Sequence, residues 1–367
     1  MTKQLRFKGG IHLTNSDSKK VKPYLITKTL VPENQETPIH FVAEDLVSDK
    51  LFYRRNHFPY PAFSSSFYFL PIDGHVQNPS VFSLEQIYAM PSKTIKVVLE
   101  CSGDKRELFK PKVFGEQMGK GAISQGIWKG VPLRTLLQYA GMLDHTKEIV
   151  FEGYDNGPRT DSNNVYNFTR SLPIEKALDE DTIIAYEYNN HPLSFKHGFP
   201  LRLIVPGWYG MASVKWIKKI VVIEKEFKGP FQTVDYIYYP NQENDSGKFP
   251  VTTINVNSTI QFPLDRQLLN TGIYKINGIA WTGEGKIATV EISMDGGQTW
   301  DPCKLSNTPK KHAWVRWTYT WNALKKGEYT IKTRATDTEG NRQPGKPLWN
   351  RKGYGYNAID KITVKVE

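Results

Sequence analysis

Near residue 239 the chain changes pattern, and the change splits it into two folding problems. A polar, turn-rich stretch at 239–248, containing Pro240, Asn241, Asn244, Asp245 and Gly247, reads as a linker. Beyond it, apolar and polar residues alternate in short runs at 272–281, 288–293, 314–321, 327–335 and 360–366. Turns rich in Gly, Asp and Asn, such as 294–298, separate them. Strands recurring about every ten residues predict an all-β sandwich over 246–367. Two cysteines, Cys101 and Cys303, do not make a disulfide framework, so this sandwich must rest on Trp281, Trp300, Trp314 and Trp317 among others.

The first part reads as α+β. Residues 1–40 are polar and irregular and suggest an extended N-terminal arm. From 41 to 245 the pattern predicts strands at 95–100, 148–152, 182–187, 201–206 and 217–223. A helix is expected over 131–141, with proline in its first turn and a closing glycine, and another starts at 173. With 367 residues the chain is long enough for two cores.

Composition narrows the partners. The net charge is +11, which favours anions, although charge alone also serves solubility. The basic residues are dispersed, without the block that tracks nucleic acid, so a small anion in a pocket is the better match. A mean hydropathy of −0.49 and no transmembrane-length apolar run argue against a membrane. The N-terminus lacks an apolar signal core and a twin-arginine pair, so a cytoplasmic location is expected.

Three clusters carry chemistry. Cys101 ends the apolar run 95–100 in a Ser-Gly-Asp turn, followed by Lys105 and Arg106, and nearby cations favour a thiolate. A lone cysteine at a strand end is more often simply buried. The second cluster, Tyr53, Arg54, Arg55, Asn56 and His57, is dense in donors that can fork onto oxyanions. The third runs from His197 and Arg202 to Ser213, Val214 and Lys215, around a buried strand and glycine loops. Zinc, calcium, dinucleotide and serine-hydrolase motifs are all missing from the sequence.

Taken in order, these segments resemble the sulfite oxidase family of molybdenum enzymes. The resemblance runs from about Phe41 to the C-terminus. It is carried by 55–57, Cys101 with Arg106, 121–128, 151–155, 185–187, 197–202, 214–216, Asp235-Tyr236, and Trp349-Asn350 with Gly353. It implies a mixed α+β molybdopterin-binding domain and then an immunoglobulin-like domain through which a homodimer forms. Cys101 would be the protein ligand of molybdenum. Residues 53–57, Asp155, His197, Arg202 and 213–215 would hold the pterin and its phosphate. Arg55, Arg106, Trp128, Tyr236 and Lys352 would form the substrate pocket. The expected activity is oxidation of sulfite to sulfate on the molybdenum cofactor, without haem, with electrons leaving to a separate acceptor.

Departures bear on the substrate. Lys352 stands where the family's Trp-Asn-x-Arg-Gly motif has arginine, keeping the charge but losing the fork. Trp208 and Tyr209 are bulkier than the small pair common in the animal and plant enzymes. Reduction of nitrate or a sulfoxide on the same core is the alternative, and an anion-binding or interaction protein is the non-enzyme one.

Overall fold

The computed structural model describes residues 24–159 and 161–367. Most of the expected N-terminal arm, residues 1–23, lies outside the described residues. The remainder of that segment forms a hairpin, Ile26–Thr29 with Asn34–Glu36, whose Gln35 pairs with the backbone of Arg54.

The first part is built mainly from strands. One sheet runs His191–Pro192, Ile183–Tyr188, Ile123–Pro132 and Lys93–Glu100, with Arg202–Ile204 also paired to Ile183–Tyr188. The other runs Ser80–Ser83, Phe69–Gly74, Ile217–Ile223, Glu148–Arg159 and Ser162–Pro173, and contains a parallel pair between Phe69–Gly74 and Ile217–Ile223. Helices are few and short. The helix expected over 131–141 is Leu133–Ala140, because Val131 and Pro132 complete the preceding strand. Its Leu133, Leu136, Leu137 and Ala140 are buried at helical spacing, and Gly141 ends it at φ +65°. Among the described residues no helix is long and apolar enough to cross a membrane.

The second part holds two sheets. One is Asn257–Phe262, Gly272–Trp281, Val315–Ala323 and Lys304–Leu305. The other is Leu268–Leu269, Asp360–Val366, Gly327–Asp337, Ile287–Ser293 and Asp301–Pro302. Ile276, Ile292, Trp317, Ile331 and Ile362 share a core. The other three tryptophans differ from expectation. Trp281 and Trp314 pack into the core of the first part, because their strand ends lean on it. Trp300 is half-buried beneath Arg334, 3.9 Å from its ring centre. The two parts therefore share apolar surface. The stretch 239–248 closes a short ladder, with Ile237 opposite Pro250 and Tyr238 opposite Phe249.

Candidate active site

Loops at the ends of both first-part sheets converge on one cavity of about 650 Å³, counted to its mouth. Its walls include Tyr53, Arg54, Arg55, Asn56, His57, Cys101, Asp155, His197, Arg202, Ser213, Val214, Lys215 and Tyr236. These come from segments more than 180 residues apart, and antiparallel pairing brings their ends together.

Cys101 follows the strand Lys93–Glu100 and is buried. Its N–H bonds Ala122 O at 2.8 Å, and its carbonyl accepts from Asp104 N at 2.8 Å, closing the turn. The Gly103 N–H donates to Sγ at 3.3 Å. A Cβ on Gly103 would lie 2.8 Å from the Arg106 guanidinium, so a side chain there would displace Arg106. Burial pushes the thiol pKa up, while Arg55 and Arg106 pull it down. Lys105 does not serve this thiol, contrary to the sequence expectation. It adopts φ +60°, turns away, and donates to Asn257 Oδ1 at 2.7 Å and Ser258 O at 2.9 Å. Arg55, from a segment nearly fifty residues earlier, takes its place.

The opposite wall is a hydrogen-bonded cradle. Asn34 Oδ1 accepts from Asn56 N at 2.8 Å, and Asn56 Nδ2 donates to Glu33 O at 2.7 Å. Lys215 donates to Asn56 Oδ1 and lies 4.1 Å from the centre of the Trp216 ring. Ser213 Oγ accepts from Val205 N at 3.1 Å, and Val214 O accepts from Leu203 N, so both hold the loop. The Tyr53 hydroxyl fills the space beside Gly210. Arg54 Nε, Ser102 Oγ, Asp155 Oδ1 and Arg202 Nε are buried without a partner among the described residues, and all four residues line this cavity. Buried polar atoms left unpaired are costly, so a polar ligand is the natural complement. The cations Arg54, Arg55, Arg202 and Lys215, with an orphaned carboxylate oxygen, suit a group bearing a phosphate and polar ring edges.

His57 Nε2 and the Tyr236 hydroxyl lie 2.6 Å apart. Burial, then Arg55 and other cations, holds the His57 pKa well below the usual histidine range. Burial raises that of Tyr236, so the phenol keeps its proton. Tyr236 sits at φ +55° and stacks on Tyr354, with ring centres 5.4 Å apart.

Three expected pocket residues stand elsewhere. Trp128 is fully buried on its strand, opposite Tyr188 and 5.3 Å from Arg202, so it backs the cavity rather than lining it. Arg106 lies behind Cys101, bonded to Gly353 O at 3.1 Å and Glu116 O at 3.0 Å. Lys352 pairs with Asp235 at 3.1 Å, beside Tyr236. Asp235 also pairs with Arg159. Arg170, Asn34 and Glu33 were missed. A chain-order reading gives no signal for them, since strand pairing alone brings them here.

His197 supports a stability prediction. Its Nε2 lies 3.2 Å from Asp49 O, and burial followed by Arg202 holds its pKa well below the usual value. The unfolded imidazole binds a proton below pH ~6.5 and the folded one does not, so its contribution is lost as pH falls through that value. Glu100 and Asp104, raised by burial, act in the opposite direction, so a comparison isolates the histidine. Between pH 7.5 and 5.5, wild type is expected to lose about 1 kcal/mol relative to His197→Gln. Denaturant midpoints at the two pH values measure this, and equal shifts would refute it.

Both parts of the chain match known protein families. Residues 57–231 match the family model of the oxidoreductase molybdopterin-binding domain, and 248–367 that of the Mo-co oxidoreductase dimerisation domain. The mitochondrial sulfite oxidase of Drosophila melanogaster is 34% identical over 361 residues, covering 91% of this chain and 62% of its own length. An inducible nitrate reductase of Glycine max is 31% identical over 370 residues, covering 91% of this chain and 41% of its own length. The chain thus spans under two thirds of both relatives. The sulfane dehydrogenase SoxCD of Paracoccus pantotrophus superposes with a TM-score of 0.81 at 26% identity, covering 97% of this chain and 92% of that one.

Proposed function

The chain belongs to the sulfite oxidase family of molybdopterin oxidoreductases, and from this we propose that it oxidises sulfite to sulfate and passes the electrons to a separate acceptor. The observation carrying this reading is a single buried thiol facing a cavity walled by Arg54, Arg55, Arg202 and Lys215. In it, Cys101 is the protein's ligand to molybdenum. The segment 53–57, Asp155, His197, Arg202 and 213–215 hold the pterin and its phosphate. When bound, the molybdenum cofactor supplies two-electron oxygen-atom transfer.

The chain's own residues bind and orient the oxyanion. Arg55 faces the cavity beside Cys101, and Arg106 adds positive charge from behind it. These charges are fixed before substrate arrives, so little reorganisation accompanies reaction. Tyr236 presents a protonated hydroxyl, and neutral His57 anchors it. Lys352 is held by Asp235 at the edge of this wall and acts on anions more weakly than a forked arginine. The second part is read as an immunoglobulin-like sandwich that pairs two copies of the chain.

Nitrate reduction is the second reading, favoured by the soybean relative and equally served by a cationic cavity. Steady-state assays with sulfite, nitrate and a sulfoxide, against several electron acceptors and donors, separate the two. Sulfite-dependent acceptor reduction is expected, from a dimer by light scattering with about one molybdenum per chain. Nitrate turnover without sulfite turnover would replace the first reading by the second.

A further inference from the structure

Arg170 is the buried charge that the proposed chemistry leaves unused. It lies on the strand Ser162–Pro173, opposite Phe151, and is almost wholly inaccessible. One Nη donates to the Phe231 carbonyl, and Nε has no partner among the described residues. No carboxylate among the described residues pairs with it. Asp235 is taken by Arg159 and Lys352, and Glu148 accepts from Phe227 N. Its guanidinium lies 5.4 Å from the centre of the Tyr236 ring.

Tyr236 and His57 both line the cavity, and Arg170 sits against the Tyr236 ring without lining it. His57 is clamped between Phe168, at 5.3 Å between ring centres, and Phe231, at 5.0 Å. Phe231 is the residue whose carbonyl Arg170 holds. A buried cation without a counter-ion costs several kcal/mol, and an apolar side chain of the same volume would pack at least as well. Stability therefore does not account for this residue. A mobile anion in the cavity would be its counter-charge.

We propose that Arg170 is a positioning residue which, through the Tyr236–His57 pair, makes the cavity favour anions in proportion to their charge. The inference rests on reading the cavity as an oxyanion site. The guanidinium fixes the tyrosine ring from behind and sets a positive potential where Tyr236 meets the ligand. In a poorly screened interior, losing one such charge weakens a monoanion on the order of tenfold and a dianion on the order of a hundredfold.

The test is calorimetric titration of the purified, cofactor-loaded protein with sodium nitrate and sodium sulfate at matched ionic strength. Arg170→Gln keeps a donor for the Phe231 carbonyl but removes the charge. It should weaken sulfate on the order of tenfold more than nitrate. Arg170→Lys should stay within about threefold of wild type for both. Equal losses for the two anions, unchanged affinities in the Gln variant, a Lys variant as weak as Gln, or wild type binding neither anion would each overturn the proposal. If the Gln variant does not fold, Arg170→Met replaces it under the same criteria. A protein that binds anions in this charge-dependent way yet never turns over sulfite refutes the sulfite reading and leaves Arg170's role standing.

Discussion

Replacing Cys101 by serine is expected to leave a folded protein whose sulfite turnover falls by about a thousandfold or more. The side chain is buried at the end of a strand, and its one hydrogen bond comes from the Gly103 N–H. Serine is smaller and accepts the same bond, so the turn survives. Its hydroxyl, however, does not ionise near neutral pH and offers a hard oxygen where a soft metal site takes sulfur. The cradle formed by Asn56, Arg202 and Lys215 is untouched, so pterin content, read by fluorescence after denaturation, should stay close to wild type. Turnover within tenfold of wild type, with molybdenum still bound, would show that the thiol is not the ligand.

What the sequence made legible follows from chain locality. Residues 53–57 and 213–215 are contiguous runs that enter the cavity whole, and 197–202 brings its two ends, His197 and Arg202. Residues supplied singly by strand pairing left no trace. Arg170 reaches Tyr236 only because Ser162–Pro173 pairs with Glu148–Arg159, and Asn34 reaches Asn56 only through the N-terminal hairpin. Direction was lost as well. Lys105 is next to Arg106 in the chain, but its left-handed backbone sends the two side chains opposite ways. Trp128 follows the same logic: strand alternation turns it toward Phe52 and Tyr188, behind the wall it was expected to form. In the second part, the alternating pattern located the strands from 272 to 366. It did not say which tryptophans face the first part, because a strand end packed against a neighbouring unit has the same alternation as one packed against its own sheet.

Lys105 also carries the largest expected effect on stability. Its ammonium is inaccessible, bonded to Asn257 and Ser258 and 5.2 Å from the centre of the Trp281 ring. Trp281 in turn donates to Glu100 Oε2 at 2.8 Å, one residue before Cys101. Asn257 Oδ1 also accepts from Gln343 Nε2 at 3.1 Å. A buried polar path thus runs from the turn holding the thiol into both sheets of the second part. Lys105→Met fits the volume but takes a donor from the Ser258 carbonyl and removes the cation whose charge favours ionised Asp104 and Glu100. Breaking one member of a buried charged network costs about 3 kcal/mol. Equilibrium denaturation at fixed protein concentration, which holds any dimer contribution constant, should register a loss of that size. Because the same turn carries Cys101 and Arg106, molybdenum per chain should fall along with it. A variant within about 1 kcal/mol of wild type would mean that apolar contacts through Trp281 and Trp314, rather than this path, join the thiol's turn to the second part.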